Sequence, residues 1–420
     1  MTREENELLT RTGPGTRCGE LMRRYWQPAA LSEELPAGGA PLPIKLLSED
    51  LVLFRDDHGR AGLLGLHCAH RGADLSYARV EDGGLRCIYH GWLYDRRGRV
   101  IDMPGEAEGG ARMRDSIRHL AYPCEERAGV IFAYMGPGEP PLLPNYEFLT
   151  ASEERVYATK LFQDCNYLQA HEASVDLLHV SFLHLTHKDR QPVVEPPPAG
   201  KISGRGNAPG LETIEVELTH FGLKVCKVRS LGPEMNYIRV ASLALPSLTV
   251  VPGRQDGIGG YSVNWHVPID ETHHWKYTFD FNKRGPIDPE VIERNRAAKT
   301  NYRPKRNKAN RYLQNRESMK TESFCGMGSV FQDQDSCAAE GMGPTQDRTQ
   351  EHLMPSDVAI LMGRKLLLKA IQDVEQEKDP PNVIREAKEN RFENVVTTSG
   401  TIPRSQDWRL LGRPQDETHD

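Results

Sequence analysis

The most constraining feature of this chain is the stretch CAHRGADLSYARVEDGGLRCIYHGWLYD, which begins at Cys68. Cysteine and histidine occur there in mirrored pairs, Cys68-x-His70 and Cys87-x-x-His90, with sixteen residues between the pairs. A common zinc finger pairs cysteine with cysteine and histidine with histidine, because one tetrahedral ion takes all four ligands. One Cys and one His in each of two loops suits a two-iron cluster instead, with thiolates on one iron and neutral imidazoles on the other. Gly72 and Gly91 allow tight loops whose backbone N–H groups point at sulfur, and Trp92 can cover the site. A structural zinc site is the alternative. Replacing two thiolates by imidazoles lowers the cluster's negative charge and raises its reduction potential.

The rest of the composition narrows the setting. At 420 residues, 38% hydrophobic and 27% charged, the chain has globular proportions and room for more than one core. Its apolar runs, such as VASLALPSLTVV, are too short for a membrane span. The charged start MTREENELLT lacks a signal core, which points to a cytoplasmic protein. A net charge of −6 gives no reason to expect nucleic-acid binding, and RPKRNKANRY reads as a solvated surface segment. The other six cysteines show no spacing logic and read as reduced thiols.

Along the chain, the first third alternates in the manner of short strands, and GPGEPPLLPNYEF marks a boundary that divides it into 1–143 and 144–420. Part of the segment before about residue 40 can belong with the second unit. A helix is predicted over Asp164–Leu178, followed by QPVVEPPPAGKISGRGNAPG, which reads as a lid or an unstructured loop. Alternating segments between LETIEVEL and HWKYTFDFN predict a large antiparallel sheet. The last third reads as helical, with Ser356 capping SDVAILMGRKLLLKAIQDVEQ, and the tail after Ser399 reads as surface drape. The fold class expected is α+β.

C-x-H-R-G followed by C-x-x-H-G-W resembles the Rieske [2Fe–2S] domain, with Cys68, His70, Cys87 and His90 as the ligands that the resemblance implies. A second segment, DCNYLQAHEASVDLLHVSFLH from Asp164, carries His179 and His184. Five positions apart, they would diverge by about 140° on an ideal helix, so a shared ion requires the helix to end or distort between them. The segment resembles the mononuclear iron motif of the Rieske non-haem iron oxygenases, where two histidines and a carboxylate form a facial triad. VFQDQDSCAAEGMGPTQDRTQEHL resembles the third-ligand segment. Asp335 stands five residues before Glu340 and is favoured as the ligand, with Asp333 as its rival. The resemblance gives Asp176 a bridging role between a cluster histidine of one subunit and an iron histidine of its neighbour. It thereby implies a homotrimer, or a hexamer of two stacked trimers. A helix-capping carboxylate is the plainer reading of Asp176.

The long C-terminal helix and the lack of a β-subunit signature look most like the phthalate dioxygenase group. That resemblance implies an N-terminal Rieske β-sandwich, a helix-grip catalytic domain and a terminal oxygenase using O2. Electrons would come from NADH through a separate flavin- and [2Fe–2S]-containing reductase, since the chain has no G-x-G-x-x-G motif. The products implied are a cis-dihydrodiol, a hydroxylated ring or a demethylated ether, from an aromatic substrate carrying a carboxylate. A Rieske-type electron carrier without oxygenase chemistry is the rival. Arg239 and Arg205 are candidate carboxylate clamps, and Asn166 a candidate substrate contact that a cap or core hydrogen bond explains equally well. Glu212 and Thr213 stand where a phthalate-specific relative is expected to carry arginine, which argues against an ortho-dicarboxylate.

Overall fold

The computed structural model describes all residues except 107–109, 187–211, 253–259, 396 and 412–420, and the side chains of 111–112. The lid-or-loop segment and Arg205 therefore lie outside the described residues. The first third builds three small antiparallel sheets. One joins Trp26–Leu31, Val130–Tyr134 and Cys124–Arg127, and another orders Leu42–Leu46, Glu49–Arg55, Ala61–Gly65 and Ala121–Tyr122. The third is a meander of three-residue strands from Arg79–Glu81 to Val100–Asp102. A separate small core under it contains Phe54, Leu64, Leu75, Leu85, Tyr94 and the two cysteines of the opening motif.

The second half is organised by an eight-stranded antiparallel sheet. Seven of its strands run in the order Val156–Gln163, His274–Asn282, Gly260–Pro268, Leu248–Pro252, Met235–Ala244, Gly222–Ser230, Glu212–Leu218, and the eighth, Thr398–Pro403, pairs with Met235–Ala244 off that path. The helix Tyr167–Val175, called here the site helix, packs on one face beside the carboxylate helix Phe331–Gly341 and the long helix Val358–Glu375. Mixed sheets and helices make the fold α+β. Among the described residues, no helix is long and apolar enough to cross a membrane.

Several local expectations are corrected. The predicted helix over Asp164–Leu178 shortens to Tyr167–Val175 because Asn166 caps its start, its side chain accepting from Leu168 N at 3.0 Å, and Asp176 ends it. Ser356 does not cap the long helix; it sits inside a 3-10 turn, Pro355–Asp357, and Asp357 holds the cap position. The last third is only partly helical. The tail is not mere drape: Thr398–Pro403 adds a strand beside Met235–Val240, and Trp408 is buried behind it with Nε1 donating to Glu215 at 2.8 Å. Its alternating residues are too few and too polar to announce a strand by pattern alone. RPKRNKANRY is likewise less solvated than its charge implies, since Arg303 covers the Phe162 ring and Tyr312 is buried, donating to Glu340.

The first residues fold onto the second half. Helix Arg3–Thr10 begins with a Thr2–Glu5 capping box and is tied to the site helix by Tyr167 Oη donating to Leu9 O at 3.0 Å. Arg17 pairs with Glu375 at the end of the long helix.

Candidate functional site

The first site is made by two matching turns. Gly72 N donates to Cys68 O at 2.8 Å and Gly91 N to Cys87 O at 3.0 Å, and both glycines lie in the left-handed region, at φ +74° and +78°. The cysteines are buried in the small core, while His70 is half-buried and His90 exposed. The imidazoles of His70 and His90 meet edge to face at 4.5 Å, and Trp92 stacks on His70 at 4.5 Å with planes 3° apart. Tyr94 Oη lies 3.0 Å from Cys68 Sγ, and backbone N–H groups of Tyr89 and His90 point at Cys87 Sγ. Sulfur donors therefore sit inside and nitrogen donors outside, with the buried His70 Nδ1 lacking a partner among the described residues. This donor set fits a two-iron cluster whose histidine-bound iron faces the surface.

A side chain at residue 91 would be strained by its φ and would place Cβ 2.7 Å from Pro104 Cγ. Gly91→Ala is therefore expected to lose most of its cluster absorbance in the visible range, whereas Gly105→Ala, with nothing within 4 Å, should keep it. Iron and sulfide assays on both variants check this.

The second site begins where the site helix stops. Asp176 Oδ1 accepts from Leu178 N at 2.9 Å and His179 N at 3.2 Å, which opens a 3-10 turn over His179–Ser181. Phe182 then leaves helical geometry at φ −121°, ψ −64°. This break brings His179 and His184 to one point, with Nε2 atoms 3.3 Å apart. Asp335 Oδ1 reaches the same point, 3.0 Å from His184 Nε2 and 3.6 Å from His179 Nε2. Phe331 stacks on the His184 ring at 4.3 Å.

The hydrogen bonds around His184 define what the point can hold. Gln334 Nε2 donates to Gly328 O at 2.6 Å, which leaves its Oε1 to accept from His184 Nδ1 at 2.6 Å. A neutral His184 thus presents a bare Nε2 to Asp335, and among the described residues the buried Asp335 Oδ1 has no hydrogen-bond donor. Three ligand atoms within 4.8 Å of one another, all offering lone pairs, fit a cation. Burial raises the Asp335 carboxyl, but the His184 contact and the charge of Lys276, with the charges the two imidazoles carry when protonated, outweigh it and bring its pKa down to about 2. Burial lowers the His179 imidazole, partly opposed by Asp335 and Asp176. Two imidazoles and one carboxylate suit a non-haem iron with open positions.

Asp333 is turned away, two residues and about 200° round the helix from Asp335. Burial pushes its pKa up to about 6 against the opposing charge of Arg306, 3.5 Å away. Glu340 is engaged by Tyr312 and by Asp164 N at 3.1 Å. The close approach of the two helices rests on small residues, Ala170 and Ala339, and on Gln169, whose Nε2 bonds the carbonyls of Ala339 and Gly343 at 2.8 Å each.

A cleft of about 670 Å³, part of it open to solvent, runs from the three ligands over the sheet. Arg239 lines it, with Nε unpaired among the described residues and Nη2 in a long, 3.5 Å hydrogen bond to Pro252 O. Asn166 does not. It is fully buried, with Nδ2 donating to Thr10 O and Glu271 O, so the candidate substrate contact is a structural cap.

Other residues of the site were not singled out from sequence. Ser174 Oγ, His266 and His274 form a buried chain, 3.0 and 3.1 Å per link, ending on Cys165 O at 2.8 Å. The row of polar residues on one face of GYSVNWHVP and HWKYTFDFN was the available signal, although alternation alone does not say that helices cover that face. Glu212 accepts from Ser181 at 2.9 and 3.1 Å, beside Lys227 and Arg229 at 3.6 and 3.7 Å. It moors the His179 turn to the sheet edge, which gives the acid at that position a structural use.

Comparison with known proteins agrees with both sites. Residues 25–121 match the Rieske [2Fe-2S] domain, and residues 133–420 match the family described as LigXa C-terminal domain like. The chain is 32% identical to the phthalate 4,5-dioxygenase oxygenase subunit of Pseudomonas putida, over 97% of this chain and 94% of that one. It is 30% identical to the 5,5'-dehydrodivanillate O-demethylase oxygenase subunit of a Sphingobium species, over 93% and 85%. Its fold matches the crystal structure of dicamba monooxygenase bound to dicamba, with a TM-score of 0.59 at 18% identity, over 85% of this chain and 99% of that one. A Rieske domain joined to a two-histidine, one-carboxylate cation site, with near full-length relatives of this kind, has one meaning: the chain belongs to the phthalate dioxygenase-like group of Rieske non-haem iron oxygenases, as an oxygenase subunit carrying a [2Fe–2S] cluster and a mononuclear iron.

Proposed function

We propose that this oxygenase acts on an aromatic carboxylate, and that Arg239 binds the carboxylate. The observation that carries the reading is a guanidinium on the wall of the iron cleft whose only described hydrogen bond is a long one to a carbonyl. Arginine's planar fork matches a carboxylate in two hydrogen bonds, and a cleft wall removes competing water.

In this reading Cys68 and Cys87 would hold one iron of the cluster, His70 and His90 the other, and His179, His184 and Asp335 would hold the mononuclear iron. Once loaded, the metals supply reductive O2 activation, leading to hydroxylation, cis-dihydroxylation or O-demethylation. The protein's own residues then position and insulate. Gln334 fixes the His184 tautomer, Asp176 and the Glu212–Ser181 contact fix the His179 turn, and Phe331 shields the imidazole. Asp176 has a second oxygen 3.8 Å from His179 Nδ1, which suits the bridging role between subunits of a homotrimer. Electrons come from NADH through a separate reductase that docks where His90 is exposed. The Rieske unit occupies residues 1–143 and the catalytic unit 144–420, with the two N-terminal helices serving the latter.

The converging triad is what favours this reading over a pure electron carrier, which needs no such site. The test is NADH and O2 consumption with a compatible reductase, across aromatic acids and their neutral amides. The expected result is acid-dependent turnover, with Arg239→Gln raising KM for acids at least tenfold and leaving that for amides within twofold. Consumption indifferent to every aromatic acid would overturn the substrate class.

A further inference from the structure

Lysine is rarely buried without a partner, because removing an ammonium from water is costly unless an anion or acceptor meets it. This protein follows that rule at three buried lysines. Lys160 pairs with Glu34 at 2.6 Å, Lys227 donates to Ser181 at 2.7 Å, and Lys299 donates to Thr159 at 2.9 Å. Lys276 breaks it. Its side chain is as buried as theirs, with the residue 6% exposed, yet among the described residues its ammonium has neither a hydrogen bond nor an ion pair. It lines the same cleft as Arg239 and the three ligand residues. Asp335 is the carboxylate whose charge reaches it, and that oxygen already faces His179 and His184.

Position in the sheet separates the two cations. Lys276 lies on the strand His274–Asn282 and Arg239 on Met235–Ala244, three strands apart in the path. At the usual spacing of about 4.8 Å this puts their backbones about 14 Å apart across the strands, and the ladder register sets Arg239 level with Asn282, about 20 Å further along them, so that the two backbones are about 24 Å apart. The cross-strand partners of Lys276 are Leu161 and His266, so neither strand neighbour supplies it with an anion.

We infer that Lys276 is a second anion anchor, so that the cleft selects an aromatic substrate carrying anionic groups at two opposite ends, one on Arg239 and one on Lys276. This rests on the aromatic-acid reading above and adds a geometry to it. Two adjacent carboxylates cannot reach both cations, whereas the ends of an extended, two-ring dianion can when the two long side chains lean toward each other along the cleft. Ser174, Asn264 and His266 line the cleft between them and offer polar contacts to the middle of such a molecule.

The experiment is calorimetric binding to the iron-loaded holoenzyme with three probes: biphenyl-4-carboxylate, biphenyl-4,4′-dicarboxylate and phthalate. The wild type is expected to bind the extended dianion at least tenfold more tightly than the monoacid, and phthalate no better than the monoacid. Lys276→Met should remove that preference while leaving monoacid affinity within threefold, and Lys276→Arg should keep most of it. Equal weakening of all probes by Lys276→Met, or loss of iron from that variant, would make Lys276 a counter-ion of Asp335 and overturn the inference. So would the absence of a dianion preference in the wild type, a result that needs no variant to fold. If the wild type binds none of the three, the aromatic-acid reading falls and takes this one with it. If it binds the monoacid without the predicted preference, only the Lys276 anchor falls.

Discussion

Asp335→Ala is expected to purify with a full Rieske cluster, no mononuclear iron and turnover reduced at least a thousandfold. The size follows from the site's construction. His179 and His184 meet at 3.3 Å only because the turn after Asp176 brings them together, and Asp335 is the carboxylate whose oxygen shares that point. Remove it and two neutral imidazoles remain, which hold a divalent cation weakly and leave a buried positive charge uncompensated. The cluster ligands lie in a separate core and should not respond. Asp333→Asn is the matched control. Asp333 faces Arg306 instead of the histidines, so that variant should retain iron and at least a third of the activity. Iron, sulfide and visible absorbance per chain, read beside substrate turnover, separate the two. Iron retained in Asp335→Ala, or lost only in Asp333→Asn, would reassign the third ligand.

Much of this arrangement was legible before any coordinates. Paired Cys–His spacing is local, and each pair with its glycine forms one turn, so sequence and geometry coincide there. The break required between His179 and His184 also followed from helix geometry, and the structure places it at Phe182, after the 3-10 turn that Asp176 opens. Choosing Asp335 over Asp333 needed the phase of a helix relative to a distant turn, which one sequence does not contain. Lys276 and the His266–His274 chain were hidden for a related reason. Alternation identifies strands but does not say that a polar row faces inward, because the helices covering that face lie far away in sequence. Asn166 shows the opposite error. An amide near the iron motif has two uses, and the nearby helix start decided for capping.

The largest effect on stability is expected from the charge cluster that holds the site helix to the long helix. Glu172 is 7% exposed and accepts from Arg348 at 2.8 Å and from Arg364 at 2.6 Å. Arg364 also grips Glu351, and Arg348 donates to Asn6 of the first helix at 3.1 Å. One carboxylate thus joins the N-terminal helix, the site helix and the long helix, all without much water. Burial alone would raise its pKa, but the two guanidiniums more than offset that and hold it below the usual carboxylate range. Glu172→Gln keeps the shape and removes the charge, leaving two buried guanidiniums short of an anion. The expected cost is about 3–5 kcal/mol at neutral pH, read as a lower urea midpoint. The pH dependence carries the sign. A group with a depressed folded pKa contributes fully above its unfolded value, near 4.3 for glutamate, and loses that contribution as pH falls through the folded pKa. Wild type and Glu172→Gln should therefore differ most at pH 7 and converge in acid. A gap that persists unchanged well below pH 4 would mean that the glutamine disturbs packing and that the charge itself contributes little. Because the same helix leads directly into Asp176 and His179, the variant should also lose mononuclear iron at lower urea than the cluster does.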